Sequence, residues 1–511
     1  MLRELSFFLL LATTTAFAAK PKAAPGTEPQ VASFMGSDAV SNGPYVIESI
    51  PLPAGVKLEA SGLATLPDGR LGVATRNGDV WLFKLDGSPA KRFARGLHEP
   101  LGLAYHKGAL YVTQRSEVTC LRDTDGDDVA DEYTCFAKGW GVSGNYHEYA
   151  YGPVFDPQGN AWITLNIGIG DHWEAAMPKN EHALWRGWCL MVPPGGKLTP
   201  LACGLRSPCG IGANGEGDVF ATDQQGNWWP AGPLIHLRKG AFFGHAESLP
   251  DAARPDSPVK LPGKIPEGIT IAQAIHQVPG YVPPAVWFPY VKMGQSTTGV
   301  VCDSSGGKFG PFAGQMLVGE FVLAGINRVF MEKIGGEYQG ACFPFLSAFD
   351  CAVLQMAFLP DGSLAVGETN RGWNSLGTRS FDVQRVKWTG QAAFEILKME
   401  ALPDGFRFTF TQPVQPESAL ATASYAASSY TFLYHSKYGS PEVETQPLGV
   451  HPASVSDDNL SVTLRCEGLR EGFVHEFHLA GVRSSEGRPL LHSQACYTLN
   501  RKPSDRVGGA K

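Results

Sequence analysis

Two segments of the sequence contain residue types that can carry out acid–base chemistry. Residues 144–152 (GNYHEYAYG) place His147 among aromatic side chains and a carboxylate, and an imidazole can act as a general base near neutral pH. Residues 204–210 (GLRSPCG) carry Arg206, whose forked, permanently charged guanidinium can bind a carboxylate or stabilise a developing oxyanion. A lone histidine is more often a hydrogen-bonded structural residue. The catalytic hypothesis therefore requires His147 and Arg206 to meet in one cavity.

Aromatic, amide and charged residues recur in nearby segments, a composition typical of sugar binding. Apolar sugar faces stack on aromatic rings, and amides bind hydroxyl groups. The residues predicted to bind substrate are Tyr146, Glu148, Trp228, Glu368, Asn370 and Trp373. The tryptophans that extend this set are Trp173, Trp185, Trp188 and Trp229. Individually, a tryptophan of this kind is more often part of the packing between strands.

An acidic segment, residues 123–132 (DTDGDDVADE), predicts a structural calcium ion, because calcium prefers several oxygen ligands. The predicted ligands are Asp123, Asp125, Asp127, the backbone of Val129, and Asp131. The segment is not a full EF-hand, since Asp128 occupies the position of the usual glycine and Thr134 the twelfth position. A solvated acidic turn is the alternative interpretation.

A sequence pattern that recurs six times indicates which strands and turns position these residues. Small or apolar residues are followed by a glycine-containing turn and an apolar strand, which is typical of β-hairpins. The copies start at Gly62, Gly102, Gly152, Gly210, Gly299 and Met356. A two-sheet sandwich would explain the hairpins but not their recurrence, so we predict an all-β, six-bladed β-propeller. The starts of its innermost strands meet around one axis, which would bring His147 and Arg206 together.

The composition changes after Trp388, the last tryptophan, and short alternating strands follow. They predict a small immunoglobulin-like β-sandwich with a structural or docking role. The expected order is a signal peptide (1–18), a leader (19–44), the propeller (45–390), the sandwich (392–500) and a tail (501–511). A proline-rich insert at 248–284 is expected to pack as a lid or loop over one face of the propeller.

Charge and the N-terminal segment limit where the protein acts and on what. The formal net charge of −7 argues against a general nucleic-acid binder and against docking on anionic lipid. The start of the chain has a charged residue, a short apolar stretch and small residues suited to cleavage, with a retained anchor as the alternative. No later segment approaches the length of a membrane span. We expect a periplasmic or extracellular protein with a small-molecule or polysaccharide substrate.

Ten cysteines in an exported chain are expected to form disulfides, although the sequence cannot establish their connectivity. The expected pairs are Cys120–Cys135, Cys189–Cys203, Cys342–Cys351, Cys466–Cys496 and Cys209–Cys302. No CxxC or CxxCH sequence supports a zinc site or an attached haem.

From about residue 45 to 390 the chain resembles the soluble quinoprotein glucose and sorbosone dehydrogenase superfamily, six-bladed propellers that use pyrroloquinoline quinone (PQQ). The resemblance is closest to exported propeller proteins of planctomycetes and verrucomicrobia. The segments that carry it are 123–127 (DTDGD), 204–210 (GLRSPCG), 310–320 (GPFAGQMLVGE) and 369–373 (TNRGW). It implies that His147 removes the proton of a substrate hydroxyl while hydride passes to the quinone.

The resemblance also implies a cofactor site, with three departures. Arg206 would contact PQQ, and Gln225 with Gly226 would help to hold the cofactor and calcium. The enzymes' asparagine after the arginine is Ser207 here. Their fifth-blade lysine and the arginine before the last hairpin are replaced by residues 319–321 (GEF) and 354–356 (LQM). The cations that could compensate for these at a cofactor with three carboxylates are Arg371 and Lys292.

Three functions follow from these observations. The first is a sugar or alcohol dehydrogenase of the quinoprotein type that passes electrons to a separate carrier. The second is a cofactor-free carbohydrate hydrolase or lyase with His147, Glu148 and Glu368 among its acid–base residues. The third is a carbohydrate-binding or scaffold protein of the periplasm.

Overall fold

The computed structural model describes residues 43–169 and 182–504, which consist almost entirely of antiparallel β-sheet. The predicted signal peptide and leader and most of the tail lie outside this part. Six four-stranded blades follow one another along the chain, five as separate sheets and one as part of a nine-stranded sheet, and the predicted six-bladed propeller is confirmed. The first strand of each sheet contacts the first strands of its two neighbours, so six strands form a closed inner ring.

The chain enters the propeller at β1 (Tyr45–Ser49). Blade 1 contains β2 (Ala60–Thr65), β3 (Leu71–Thr75), β4 (Val80–Phe83) and β5 (Lys91–Ala94). Blade 2 contains β6 (Leu103–His106), β7 (Ala109–Thr113), β8 (Glu117–Arg122) and β9 (Glu132–Lys138). Blade 3 contains β10 (Ala150–Phe155), β11 (Ala161–Leu165), β12 (Trp188–Val192) and β13 (Thr199–Cys203).

The remaining blades are assembled in the same order, from the inner to the outer strand. Blade 4 contains β14 (Gly210–Ala213), β15 (Val219–Thr222), β16 (Gly232–His236) and β18 (Val286–Phe288), and the two-residue β17 (Ile269–Thr270) lies in its insert. Blade 5 contains β19 (Thr297–Cys302), β20 (Met316–Glu320), β21 (Gly325–Ile334) and β22 (Glu337–Leu346). Blade 6 contains β23 (Val353–Phe358), β24 (Leu364–Thr369), β25 (Phe381–Trp388) and, outermost, β1.

Each copy of the recurring pattern forms the hairpin between the first and second strands of a blade, and five of the six copies begin with a glycine. At two of these glycines the next blade leaves no room for a side chain. A Cβ atom on Gly102 would overlap the carbonyl oxygen of Gly152, and one on Gly210 would overlap the carbonyl oxygen of Thr298. In both cases the overlapped atom belongs to the inner strand of the next blade. At these two positions glycine therefore allows neighbouring inner strands to approach each other closely.

The ring closes through the N-terminal strand. β1 pairs antiparallel with β25 in blade 6, with Tyr45 opposite Trp388. The Tyr45 hydroxyl also donates a hydrogen bond to the carbonyl oxygen of Phe309 in blade 5 (2.9 Å). One blade is thus built from both ends of the propeller, which removes the free edges that an open arrangement would leave.

A two-sheet β-sandwich follows the propeller. Its first sheet contains β26 (Ile396–Leu402), β27 (Gly405–Phe410), β31 (Ser461–Glu467) and β30 (Gly449–Val455). Its second contains β28 (Ala426–Tyr434), β29 (Glu442–Pro447), β32 (Phe473–His478) and β33 (Gln494–Leu499). Phe406 and Phe408 of the first sheet pack edge-on against Phe477 of the second. The second sheet is also hydrogen-bonded through β33 to β22, so it continues blade 5.

The proline-rich insert joins the propeller to the sandwich. It contains a 3-10 helix (Ala246–Ala253) and α1 (Ile271–Gln277), and β17 pairs with β28 of the sandwich. Thr270 and Gln273 form a reciprocal capping box that starts α1. A further short helix, α2 (Pro416–Leu420), lies in the sandwich. No helix of the described residues is long and apolar enough to cross a membrane.

All ten cysteines are free thiols in the structure, and none of the five expected disulfides is formed. Strand register explains two of the errors. Cys120 is paired with Thr134, and Cys189 is paired with Ala202. Because neighbouring residues of a strand point to opposite faces, Cys135 and Cys203 lie on the wrong faces for these bonds. The structure instead places Cys342 directly opposite Cys496, where blade 5 meets the sandwich.

Candidate functional site

A cavity of about 590 Å³ opens where the inner strands begin. Its walls come from the loops of blades 2 to 6 and from one residue of the sandwich, Tyr438. The predicted site residues that line it are His147, Arg206, Gln225, Arg371, Tyr146 and Trp373. Segments far apart in the sequence therefore bring the imidazole of His147 and the guanidinium of Arg206 to one cavity.

His147 is positioned by the turn that leads into β10. The Asn145 side-chain oxygen accepts a hydrogen bond from the His147 backbone N–H (3.0 Å), and the Asn145 amide group donates to the carbonyl of Ile169 (3.1 Å). The Arg115 guanidinium donates to the backbone carbonyls of Asn145 and Tyr146. These bonds fix the backbone on both sides of the imidazole, and His147 is 7% exposed.

The surroundings of His147 keep its imidazole neutral. Burial, followed by the positive charges of Arg206, Arg371 and Arg115, lowers the pKa of His147 to about 3. At neutral pH the ring therefore has a nitrogen lone pair that can accept a proton. An anion bound among these guanidinium groups would offset their charge and raise the pKa of His147 towards neutrality.

Arg206 is held from both its backbone and its side chain. The buried Asp223 carboxylate accepts hydrogen bonds from the backbone N–H groups of Arg206 and Ser207 (both 2.7 Å), and burial raises the pKa of Asp223 to about 6. The Arg206 Nε donates to the side-chain oxygen of Asn227 (2.8 Å). A Cβ atom on Gly226 would overlap this guanidinium, so the glycine leaves the space that Arg206 fills.

Arg371 reaches the cavity from the turn after β24. Its backbone φ is 53°, and the following turn is closed by the Asn370 side chain, which accepts a hydrogen bond from the Gly372 N–H (2.9 Å). Its guanidinium lies over the Tyr149 ring, 4.5 Å from the centroid, and donates to the Tyr149 hydroxyl and to Glu99. Its buried Nε has no hydrogen-bond partner among the residues that the structure describes.

The electrostatic character of the cavity favours an anionic or strongly hydrogen-bonding ligand. Arg206 and Arg371 line it, whereas no Asp or Glu side chain does so within the described part of the chain. Glu320, in the segment 319–321, lies behind the wall. It accepts hydrogen bonds from the backbone N–H groups of Ser296 and Val322, and burial raises its pKa to about 7.

The structure does not bring four of the six predicted substrate-binding residues to the cavity wall, and the predicted cofactor residue Gly226 does not line it either. Glu148 is buried on the opposite side of its segment, where its carboxylate accepts hydrogen bonds from the backbone and hydroxyl of Ser143 (2.6 and 2.7 Å). The Glu368 carboxylate accepts from the backbone N–H of Cys351 (2.6 Å). Asn370 closes the turn at Arg371, and the fourth residue is Trp228. The Glu148 carboxylate therefore lies on the side of the turn away from the cavity, whereas Tyr146 and His147 line it.

Most of the predicted aromatic set belongs to the hydrophobic core. The buried tryptophans are Trp185, Trp188, Trp228 and Trp229. Trp373, by contrast, is 51% exposed and meets the His147 ring edge-on at a centroid distance of 6.1 Å. Trp173 lies outside the described residues. The aromatic walls of the cavity are mainly tyrosines, including Tyr149 and Tyr151 of the same segment as His147.

Lys292, named above as a possible compensating cation, and Gln355, from the segment 354–356, do not line the cavity. Lys292 does not line the cavity, because its ammonium group bonds to Glu442 and Glu476 of the sandwich (3.0 and 2.7 Å). Gln355 also stays outside the cavity wall, whereas the neighbouring Leu354 lines it. Arg371 is therefore the compensating cation that the cavity contains.

Tyr438 is a lining residue that no pattern in the sequence predicts. It lies on the hairpin loop between β28 and β29, and the Arg206 guanidinium carbon is 5.5 Å from the centroid of its ring. The hairpin belongs to the sandwich, and no local motif marks it as part of a site on the propeller. Only the docking of the two domains brings it there.

The acidic segment lies on the hairpin between β8 and β9. Ligand oxygens of Asp123, Asp125 and Asp131 lie within 4.8 Å of one another. Asp127 is not part of this group, and its carboxylate accepts a hydrogen bond from the Val129 backbone N–H (2.8 Å). Three of the four predicted carboxylates are thus close enough to share one ion.

Comparison with known proteins gives one family match. A family model described as a domain of unknown function, DUF7133, matches residues 85–254. These residues run from the third-to-fourth strand turn of blade 1 into the insert of blade 4, and they include His147 and Arg206. No curated protein matches the sequence.

Several solved structures resemble the propeller. The PQQ-bound aldose sugar dehydrogenase of Streptomyces coelicolor is 13% identical, with 67% of this chain and 98% of that chain covered and a TM-score of 0.45. The apo-form soluble aldose sugar dehydrogenase of Escherichia coli is 13% identical, with 67% and 99% covered and a TM-score of 0.45. The holo-form PQQ domain of pyranose dehydrogenase from Coprinopsis cinerea is 13% identical, with 68% and 96% covered and a TM-score of 0.46. Because these scores lie below 0.5, the propeller assignment rests on the sheets themselves.

Proposed function

We propose that this protein is an exported dehydrogenase of a sugar or related alcohol, with PQQ or a similar anionic quinone in the central cavity. The observation that supports this most directly is the meeting of neutral His147 with Arg206 and Arg371 in one cavity whose described lining has no acidic side chain. The volume of about 590 Å³ is within the range of cofactor and small-molecule sites.

The residues of the cavity suit a cofactor with several carboxylates. Arg206 and Arg371 would hold carboxylates through their forked N–H groups, and the Arg371 Nε is one buried donor that such a ligand would satisfy. The amide of Gln225 lines the same wall, although its Nε2 already donates to the carbonyl of Pro230 (3.0 Å). Gly226 contributes by leaving room for the Arg206 side chain.

The chain's own residues then account for the handling of substrate. A bound quinone supplies the acceptor for hydride. His147 accepts the proton of the substrate hydroxyl, which its neutral ring permits once the anionic ligand has raised its pKa. Trp373 and Tyr146, which flank His147, offer aromatic faces to a sugar ring. Electrons leave to a separate carrier.

The test is binding of PQQ followed by substrate turnover. We expect PQQ to bind the purified protein in the presence of calcium, measured by absorbance titration, and Arg371→Gln to weaken binding by about tenfold or more, because a charge-assisted hydrogen bond contributes roughly 1.5–3 kcal/mol. Arg92→Gln is the matched control, since Arg92 lies on the outer strand β5 and is exposed. The PQQ-loaded protein is expected to reduce a dye with at least one aldose or polyol.

Failure at either stage contradicts a different part of the proposal. If PQQ does not bind at saturating concentration, the cofactor assignment is wrong. If PQQ binds but no sugar or alcohol of a broad panel reduces the dye, the substrate class is wrong.

A structural calcium ion at Asp123, Asp125 and Asp131 is part of the proposal. We expect calcium to raise the midpoint of thermal unfolding, because a ligand that binds only the folded state stabilises it. Asp125→Asn should remove most of this increase, and Asp86→Asn, at an exposed turn of blade 1, should retain it. An identical midpoint for wild-type protein in calcium and in chelator would exclude the ion.

A lyase is the second candidate, and the same cavity chemistry favours it over a hydrolase. A glycoside hydrolase commonly needs two carboxyl groups across the bond, and neither Glu148 nor Glu368 lines the cavity. A β-elimination on an acidic sugar instead needs a cation for the carboxylate and a base for the adjacent proton, which Arg206 and His147 could provide. Release of unsaturated product from a uronide without any electron acceptor would identify this activity. Sugar binding without turnover would indicate the carbohydrate-binding alternative.

A further inference from the structure

A second cleft adjoins the central cavity where the sandwich meets the propeller. Its volume is about 750 Å³, and it shares Gln225, Tyr290 and Tyr438 with the cavity. Its other walls come from the loop between β28 and β29 and from Glu267 and Gly268 in the insert of blade 4. The cavity and the cleft are therefore two compartments that meet at shared residues.

The loop that carries Tyr438 is fixed to the propeller by backbone hydrogen bonds. The Trp228 N–H donates to the carbonyl of His435 (2.9 Å), and the Gly439 N–H donates to the carbonyl of Gly226 (2.9 Å). These bonds lie on the two sides of Tyr438, and Gly226 is the residue on which the Arg206 side chain packs. The position of the tyrosine is thus tied to the same segment that positions Arg206.

The shared aromatic residues are unusually open to solvent. Tyr438 is 61% exposed and Tyr290 is 38% exposed, although both are large amphipathic side chains. Rings of this kind that are exposed beside a cavity provide surfaces for stacking, and their hydroxyl groups can hydrogen-bond to a polar ligand. One neighbour of the Tyr438 ring is the Arg206 guanidinium in the cavity, and the other side of the residue borders the cleft.

The polar groups of the cleft suit a neutral, hydroxyl-rich ligand better than an ion. Gln225 offers an amide, Ser440 a hydroxyl, and the cleft carries one acidic residue, Glu267, and one lysine, Lys437. The Glu267 carboxylate already accepts hydrogen bonds from Ser436. Such a cleft can bind a sugar in two ways. Its charged and amide groups hydrogen-bond to the sugar hydroxyls, and its two tyrosine rings stack on the sugar faces.

We propose that the cleft is a second saccharide subsite and that the ligand is an oligosaccharide of at least two residues. One sugar occupies the central cavity beside His147, and the next stacks on Tyr438 in the cleft. This inference rests on the proposed function, because it requires a sugar in the central cavity. It makes the sandwich a determinant of substrate length.

The experiment is calorimetric titration of the full-length protein without added cofactor, so that it does not depend on turnover. The probes are matched sets: glucose with maltose and cellobiose, mannose with mannobiose, and galacturonate with digalacturonate. We expect at least one disaccharide to bind about tenfold more tightly than its monosaccharide. Tyr438→Ala should lower the affinity for that disaccharide by about five- to tenfold, which corresponds to loss of one stacking contact.

Two further variants separate stacking from other effects. Tyr438→Phe keeps the ring and should retain most of the disaccharide preference. Tyr133→Ala removes another exposed tyrosine, on the outer strand β9 of blade 2, and should change neither affinity.

The outcomes of these titrations distinguish the second subsite from the proposed function. Equal binding of monosaccharide and disaccharide, or a disaccharide preference that Tyr438→Ala leaves unchanged, overturns the second subsite while the proposed function stands. No sugar binding in any set overturns the subsite and the carbohydrate assignment together. The protein could also prefer a disaccharide through Tyr438 while it neither binds PQQ nor reduces a dye. This result supports the second subsite and contradicts the dehydrogenase proposal.

Discussion

Replacing His147 with alanine is expected to lower turnover by roughly 10²–10⁴-fold, the usual contribution of a positioned general base. The His147 imidazole lines the cavity and is neutral at pH 7, because burial and three nearby arginines lower its pKa to about 3. An anion bound beside Arg206 and Arg371 would offset their charge and raise this pKa. Since Arg206 and Arg371 remain, binding of PQQ should change little. The measurement is dye reduction at saturating sugar, beside a PQQ titration of the same variant.

His451→Ala is the matched control for this variant. His451 lies on β30 of the sandwich, far along the chain from the cavity residues, and its side chain is 59% exposed. It should retain full activity. A His147→Ala protein that turns over at the wild-type rate would exclude the base assignment, and one that loses PQQ binding as well would show that the imidazole holds the ligand.

Replacing Gly102 with alanine is expected to lower the free energy of unfolding by roughly 3 kcal/mol or more, because overpacking against an immobile neighbour is strongly destabilising. The added Cβ would overlap the backbone carbonyl of Gly152 in the inner strand of the next blade. A flexible side chain could move aside, but a backbone carbonyl within the inner ring cannot move without shifting a blade. Urea unfolding followed by tryptophan fluorescence measures the change.

Gly215→Ala separates this contact from the general effect of replacing a glycine. Gly215 lies in the turn of the blade 4 hairpin, where an added Cβ would have no atom within 4 Å and the backbone has no positive φ. This variant should be neutral or slightly more stable, because alanine reduces the freedom of the unfolded chain. Equal destabilisation by both substitutions would show that the inner-ring contact is not the cause.

The sequence is most informative where local chemistry determines local structure. The six hairpins are predictable because a glycine turn between alternating strands is specified within about ten residues. A propeller arranges such hairpins in a ring around one axis. The starts of β10 and β14 therefore share a cavity. His147 and Arg206 can therefore be assigned to one wall from the amino-acid sequence alone.

Side-chain direction and domain docking are not predictable in the same way. Glu148 follows His147 in sequence yet bonds to Ser143, because these residues lie at a turn, where side-chain direction does not follow a fixed period. Two of the predicted cysteine pairs, Cys120–Cys135 and Cys189–Cys203, are wrong because a shift of one residue in strand register changes the face of every side chain. Tyr438 escapes prediction because its place depends on how the sandwich packs against blade 4.

The shared sheet of blade 5 and the sandwich has a consequence for any attempt to isolate the propeller. Ending the chain near residue 390 would strip β33 from β22 and leave backbone N–H and C=O groups of that outer strand without partners. This pairing covers Gly340 to Cys342, and a strand edge left bare there can recruit strands from other molecules and favour aggregation. A shortened protein would thus tend to self-associate even if its six blades still closed.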